Sequence, residues 1–168
     1  QGQRCIRART DPTLAAAVAA DQPNDTIKLI DDAGLTNRLT ISLPVAIVSD
    51  GAGRTITRTN AFADDLSCVQ GSGALTLGQA GGSDAAPTLI LDGGATNGIA
   101  GGYSFIFAVG ADVVIQPGVV LRRFSGFYAP LYGLDNDGLA TLPVNGGCLA
   151  HNVPPNRSGG ALCSPCPL

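Results

Sequence analysis

The sequence predicts an all-β protein built as a solenoid of stacked coils, and three observations lead to this prediction. Four short apolar runs each close on a small or polar residue and a glycine, at residues 45–51, 66–71, 88–94 and 112–118. The closing glycines Gly51, Gly71, Gly93 and Gly118 are 20, 22 and 25 residues apart. Further strand-like runs lie between them, at residues 55–59, 74–78 and 104–108. Short β-forming runs between turn residues, repeated at a near-constant period, are typical of a repeat protein made of strands.

The length of this repeat narrows the architecture. An interval of about 20 residues leaves no room for a crossover helix with its loops, which argues against βαβ units. A meander or Greek-key sandwich is the main rival, because it uses the same strand and turn signals. The near-constant unit, with a glycine at a corresponding corner each time, favours a parallel β-helix. Coils of that kind stack about 4.8 Å apart and align their inward residues in ladders.

Composition limits the functional classes. The chain has 168 residues, enough for one domain with a core, and it carries 23 glycines, 11 prolines, no Glu and no Met. Its net charge is −3 and Lys28 is its one lysine, so a basic face for nucleic acid is not expected. No apolar run approaches the roughly 20 residues that span a bilayer, so no membrane span is expected.

The N-terminal region predicts a capping helix. Residues 10–12 read Thr-Asp-Pro, an oxygen-bearing cap followed by the proline that favours a helix start. An Ala-rich helix over 13–20 follows, with Leu14 and Val18 on one face. A helix this short is marginal alone. We therefore expect it to pack on the next strand, at 25–30, and to cover the N-terminal end of the coil.

The order of these elements resembles one known group of proteins. An Ala-rich helix precedes PNDTIKLI at 23–30, LTI at 39–41 and VAIVSDGAGRTI at 45–56. This order resembles the opening of the pectin-lyase-like right-handed parallel β-helix superfamily over residues 11–124. The resemblance implies a right-handed coil with an N-terminal capping helix. It implies little about activity, because the superfamily includes polysaccharide lyases, hydrolases, adhesins and purely structural proteins.

We expect one β-helix domain over residues 1–168. It would comprise an N-terminal segment and cap helix (1–24), the coils (25–124), and an irregular, disulfide-containing part with an aromatic loop and a Cys- and Pro-rich tail (125–168). In that tail, GGAL at 159–162 resembles the G-G-A-[ILV] tetrad of polymorphic outer-membrane proteins and related surface adhesins. The F-x-x-N partner motif of those proteins is missing, so the resemblance extends to architecture alone.

Five cysteines point to an oxidising compartment and to secretion, as does a chain that starts at Gln1 without a methionine. We expect a disulfide between Cys5 and Cys68. Two of Cys148, Cys163 and Cys166 should pair, which leaves one thiol free or joined to another chain. The spacing of the last two also suits zinc or redox chemistry. Disulfides are favoured because the adjacent prolines forbid the helix that a redox pair normally opens.

Two sequons, at Asn24 and Asn156, are candidate glycosylation sites on exposed turns.

The aromatic residues are concentrated in one region. Seven of the eight lie between Tyr103 and Tyr132. They could simply pack as a loop against the outside of the coil. Aromatic residues beside arginine are also the usual anchors of interfaces with a glycan or a neighbouring subunit. The interface candidates are Arg122, Arg123, Phe124, Phe127, Tyr128 and Tyr132.

Catalysis has few candidate residues. A lyase would need clustered carboxylates for calcium and a basic proton acceptor, and the candidates are Asp92, Asp112, Arg122 and Arg123. Aspartate beside a turn glycine is, however, simply a good turn residue. A hydrolase would have only His151 as its base and lacks a G-x-S-x-G elbow. We therefore assign no catalytic, cofactor or metal-binding residue.

The expected function is that of a secreted structural or adhesive protein. The helix covers one end of the coil, whereas the proline-rich chain after Gly138 supplies no comparable cap. Irregular loops and disulfides could close that end and give a monomer. An uncovered end instead favours head-to-tail self-association into an extracellular filament, appendage or coat. The alternative is a β-helix protein that binds or cleaves glycans.

Overall fold

The computed structural model describes residues 13–59, 64–83, 85–93 and 104–123, together with the backbone of three later strands. Helix α1 spans Leu14–Ala19. The strands are β1 (Asp25–Leu29), β2 (Ala33–Leu35), β3 (Leu39–Ile41), β4 (Pro44–Ser49), β5 (Arg54–Arg58), β6 (Ser67–Gln70), β7 (Ala74–Leu77), β8 (Leu89–Asp92), β9 (Ile106–Val109), β10 (Asp112–Ile115), β11 (Val119–Arg122), β12 (Leu131–Asp135), β13 (Gly138–Leu139) and β14 (Cys148–Ala150).

The strands form three sheets, and the chain visits them in rotation from β1 to β12. The first sheet has the order β1-β4-β7-β10, the second β14-β11-β8-β5-β2, and the third β13-β12-β9-β6-β3. Neighbouring strands in the described residues are parallel, except for the antiparallel pair β12 and β13. The prediction of an all-β fold with mainly parallel strands is therefore confirmed, and among the described residues antiparallel pairing is confined to the short pair β12 and β13.

Residues in register form apolar ladders across each sheet. In the first sheet Ile27, Ile47, Leu77 and Ile115 are partners, and each is at most 2% exposed. Ile56, Leu91 and Leu121 form the corresponding ladder in the second sheet, and Ile41, Val69 and Ala108 form that of the third. All ten belong to one buried cluster. Burial of each large aliphatic side chain stabilises by about 1.5–3 kcal/mol.

Glycines at the corners behave as predicted in three of four cases. Gly51, Gly71 and Gly118 have φ values of 102°, 64° and 83°, a left-handed conformation that glycine adopts without a Cβ clash. Gly93 does not share this conformation. Its N–H donates to the Arg122 carbonyl at 3.0 Å, which extends the pairing of β8 with β11 by one residue.

Helix α1 covers the N-terminal end, as predicted, but over different strands. Leu14 and Ala17 are buried and Val18 is partly buried against the core. The helix packs mainly on β2 and β3 rather than on β1. The cap is Thr13 rather than Thr10, because the Thr13 hydroxyl accepts a hydrogen bond from the Ala16 N–H at 3.0 Å.

The later strands correct the expectation of an irregular chain after residue 124. Strand β12 pairs in parallel with β9, and β14 pairs in parallel with β11. Two of the sheets therefore continue past the predicted boundary at residue 124. The reason is that residues 131–135 and 148–150 contain short leucine-bearing runs able to add to sheets already formed.

Candidate functional site

The outer face of the second sheet carries an unusual buried charge. Inward residues Leu91 and Leu121 alternate with outward residues, so Asp92 and its register partner Arg122 belong to the outer face. The Asp92 side chain is nevertheless only 1% exposed. A buried carboxylate costs several kcal/mol unless hydrogen bonds and opposite charges compensate it.

Two arginines supply that compensation. The Arg122 Nε donates to Asp92 Oδ2 at 2.8 Å. The Arg123 Nε donates to Asp92 Oδ1 and its Nη2 to Oδ2, both at 2.7 Å. The second pair is the bidentate arrangement in which the guanidinium fork matches the carboxylate. We call Asp92, Arg122 and Arg123 the arginine clamp.

The clamp depends on a strained backbone position. In a continuing strand, Arg122 and Arg123 would point to opposite faces. Arg123 instead has φ 56°, and its side chain reaches the same carboxylate as that of Arg122. A left-handed conformation costs a non-glycine residue about 1–2 kcal/mol. The corresponding residue one coil earlier, Gly93, does not adopt this conformation, so the left-handed backbone is particular to Arg123.

The electrostatics of the clamp do not suit a lyase. The hydrogen bond with Asp92 raises the pKa of Arg123, whereas a proton acceptor needs a lowered pKa. Asp92 is already bonded to two cations, so it is a poor calcium ligand. Asp112 belongs to the first sheet, in β10. In the described parts of the chain, no three His, Cys, Asp or Glu side chains are grouped to hold a metal ion.

A second polar cluster lies at the corner between the second and third sheets. Arg58 and Asp65 are each 7% exposed and Ser104 is fully buried. The Arg58 Nη2 donates to the Asp64 carbonyl at 3.0 Å, and the Ser104 N–H donates to Asp65 Oδ1 at 2.6 Å. Burial raises the pKa of Asp65 and lowers that of Arg58. The hydrogen bond from Ser104 to Asp65 ties two adjacent coils together.

The structure places only some of the predicted cysteines and sequons. Cys68 is a free thiol, 3% exposed, and its Sγ lies 3.7 Å from Gln70 Oε1. Burial raises its pKa, which makes it a poor nucleophile. The predicted disulfide with Cys5 is therefore not supported. Asn24 is exposed in the turn before β1, as predicted.

The other cysteines and the second sequon cannot be placed by their side chains. Cys148 is described by its backbone alone, in β14. Cys5, Cys163, Cys166, Asn156 and His151 lie outside the described residues.

The predicted interface is placed in part. Arg122 and Arg123 are both in the clamp, whereas Phe124, Phe127 and Tyr128 lie outside the described residues. Tyr132 is described by its backbone in β12, in register with Phe107. The two arginines had been expected to act beside aromatic residues. Their observed partner is Asp92, about 30 residues earlier in the chain.

The described residues define an all-β protein of three mainly parallel sheets with an arginine clamp on one outer face. No protein-family model, curated protein or solved structure matches the chain. The likeness to the pectin-lyase-like superfamily stays an interpretation of the sequence. Among the described residues, no helix has the length and apolar character needed to cross a membrane.

Proposed function

We propose that the chain is a right-handed parallel β-helix and acts as a secreted structural or adhesive protein that assembles head to tail. The observation that carries the architecture is the rotation of the chain through three parallel sheets from β1 to β12, with every third strand as a neighbour. A right-handed coil is favoured because parallel crossover connections are almost always right-handed. Such a coil has two ends, and these ends are different surfaces.

The N-terminal end supports a docking role. Strands β1, β2 and β3 are the first strands of the three sheets at this end. A cavity of about 220 Å³ opens beside the cap helix α1, lined by Val18, Asp21, Ile41 and Leu43 among others. Leu43 in this lining is 38% exposed. A cavity beside the first strand of each sheet is a place where another subunit could bind and extend the sheets.

The far end of a neighbouring subunit is the proposed partner of this end. Two different surfaces that meet in this way form a heterologous contact, which propagates into a filament unless it closes into a ring. Residues 1–9 or the cap helix of one subunit would complete the contact. The aromatic segment at 124–132 would provide a lateral contact between filaments.

Deletion of residues 1–9 tests this proposal. The truncated protein should fold, with an unchanged circular dichroism spectrum, but should not polymerise. Light scattering and negative-stain microscopy measure the difference. A matched control replaces residues 1–9 with a Gly-Ser segment of equal length and should also fail to polymerise. Filaments of the same kind from either variant, or an intact protein that stays monomeric at high concentration, would contradict the proposal.

Glycan binding is the second candidate, and the arginine clamp favours it. The Arg122 and Arg123 side chains are 41% and 49% exposed, so both side chains are accessible from solvent.

Secretion is proposed from the cysteine content of the chain. Mass spectrometry of the native protein without reduction would test it, since five free thiols would contradict an oxidising compartment.

A further inference from the structure

The arginine clamp keeps more hydrogen-bond donors than Asp92 uses. A guanidinium carries five N–H donors. Within the described residues, Arg122 uses one on Asp92 and Arg123 uses two, which leaves four and three. About half of each side chain is exposed to solvent. The clamp therefore presents a set of unused, charged donors at the surface of the second sheet.

These donors are held in place before any ligand arrives. Asp92 is buried and bonds to both arginines, so it fixes the orientation of the two forks relative to each other. The left-handed backbone at Arg123 brings its guanidinium to the same side as that of Arg122. Strain of this kind persists where the surrounding structure enforces it, and it is concentrated at ligand sites. A preorganised fork also loses less entropy on binding.

The charge and donor geometry select the ligand. Two guanidiniums and one carboxylate leave a net charge of +1, which a monoanion complements. A carboxylate offers two oxygens in one plane. A sulfate monoester offers three terminal oxygens around a tetrahedral centre, which two forks of different orientation can bind together. We propose that the arginine clamp is a binding site for a sulfate monoester, as carried by a sulfated polysaccharide or approximated by free sulfate.

This proposal stands on the geometry of the clamp and requires neither self-assembly nor a particular handedness of the coil. A monomeric protein could bind in this way. Failure of the assembly experiment would therefore leave it standing, and its own failure would leave the assembly proposal standing.

Isothermal titration calorimetry of the full chain tests the proposal with heparin fragments and their desulfated counterparts at matched ionic strength. The sulfated fragments should bind and the desulfated ones should not. Arg122→Gln combined with Arg123→Gln should weaken binding by about tenfold or more, since several charge-assisted hydrogen bonds are lost. Arg38→Gln is the matched control. Arg38 is 39% exposed and pairs with Asp64 at 2.9 Å, and its loss should change the affinity by less than about twofold.

A second variant distinguishes the effect of guanidinium geometry from the effect of positive charge, and it provides a check against misfolding of the first variant. Arg122→Lys combined with Arg123→Lys keeps both charges but removes the planar forks. We expect it to fold, as judged by circular dichroism, and to bind more weakly than the native protein. Equal binding of desulfated fragments, native affinity in the Lys variant, or an equal loss in the Arg38 control would overturn the proposal.

Competition identifies the source of the sulfate. If sodium sulfate displaces the fragments at millimolar concentration while sodium chloride of equal ionic strength does not, the free ion is itself a ligand. If the fragments stay bound, the polymer is the ligand. Both results support a sulfate site.

Discussion

The first and second sheets differ in their outward rows. An outward row consists of the residues that lie one position before or after the inward apolar ladder of a sheet and face away from the core. In the first sheet the outward row just before the ladder is uncharged and half-buried, and it consists of Thr26, Ala46, Thr76 and Val114. The outward row just after that ladder begins with Lys28 and Val48, so it carries one charge without a charged register partner. In the second sheet the outward row just after the ladder contains two opposite charges in direct register, and it consists of Gly34, Thr57, Asp92 and Arg122. Both sheets have Ile and Leu ladders on the inside.

This difference shows where a stacked fold is free to change. An inward residue lies between two like residues of adjacent coils, so its size is fixed by its neighbours and by close packing. An outward residue meets solvent on one side. Charged residues can therefore be introduced on the outer face of one sheet without altering the core. The arginine clamp lies on the outer face of a sheet whose inward ladder is apolar, like the ladders of the other two sheets.

Truncation of the inward ladders should have the largest effect and should not distinguish the two sheets. Ile47→Ala in the first sheet and Leu121→Ala in the second remove side chains that are 1% and 0% exposed. Each should lower the free energy of unfolding by about 2–5 kcal/mol, because a cavity remains. Urea unfolding followed by circular dichroism measures this. The outward control Thr76→Ala should cost less than about 0.5 kcal/mol. A Leu121→Ala protein as stable as this control would refute equivalent ladders.

Removal of the Asp92 charge should lower the free energy of unfolding by an intermediate amount. It tests whether the clamp on the second sheet contributes more than an ordinary surface ion pair. Asp92→Asn leaves two guanidiniums without their shared anion and should cost about 1–3 kcal/mol. The loss is less than for a fully buried pair, since both arginines reach solvent. The control is Asp64→Asn, which breaks an exposed pair with Arg38 and should cost less than about 1 kcal/mol. Equal costs in urea unfolding would mean that the clamp is an ordinary surface ion pair.

The inward ladders and the clamp also differ in how far the sequence predicts them. Alternation of apolar residues and the turn glycines Gly51, Gly71 and Gly118 are local signals, so the strands and the corners could be predicted. The clamp joins Asp92 to arginines about 30 residues later. It depends on the register between coils and on the left-handed backbone at Arg123, and neither has a local signature.

Contacts across corners were missed for the same reason. Arg58 lies two positions after the inward Ile56, a side on which the alternation predicts an apolar residue, and it is buried beside Asp64 and Asp65. The position of the helix is another example, since α1 packs mainly on β2 and β3. Its amphipathic face predicted that it would dock, but the choice of strand depends on how the first coil closes.

The smallest expected effect on stability comes from two aspartates at the corners, and it is seen in how stability depends on pH. Asp50 lies at the corner after the first sheet, where the Arg54 Nε donates to its Oδ1 at 2.9 Å. This hydrogen bond lowers the pKa of Asp50 to about 2. Asp65 lies at the corner before the third sheet, and burial raises its pKa. The two acids should therefore affect stability with opposite signs as pH changes.

For Asp50 the unfolded chain binds the proton more readily, so its contribution is present above the unfolded value of 3.8 and is lost as pH falls toward about 2. For Asp65 the folded chain binds the proton more readily, so stability falls as pH rises from 3.8 through the raised value.

Melting temperatures of Asp50→Asn and Asp65→Asn, measured against the native protein from pH 2 to 6, separate the contributions of the two acids. The first variant should lose less stability on acidification, and the second should lose less as pH rises above 3.8. Because Asp50 is exposed and its ion pair is screened by salt, 1 M sodium chloride should abolish the first difference and preserve the second. An Asp65→Asn protein whose profile follows the native one would mean that Asp65 has an ordinary pKa and that the corner is open to water.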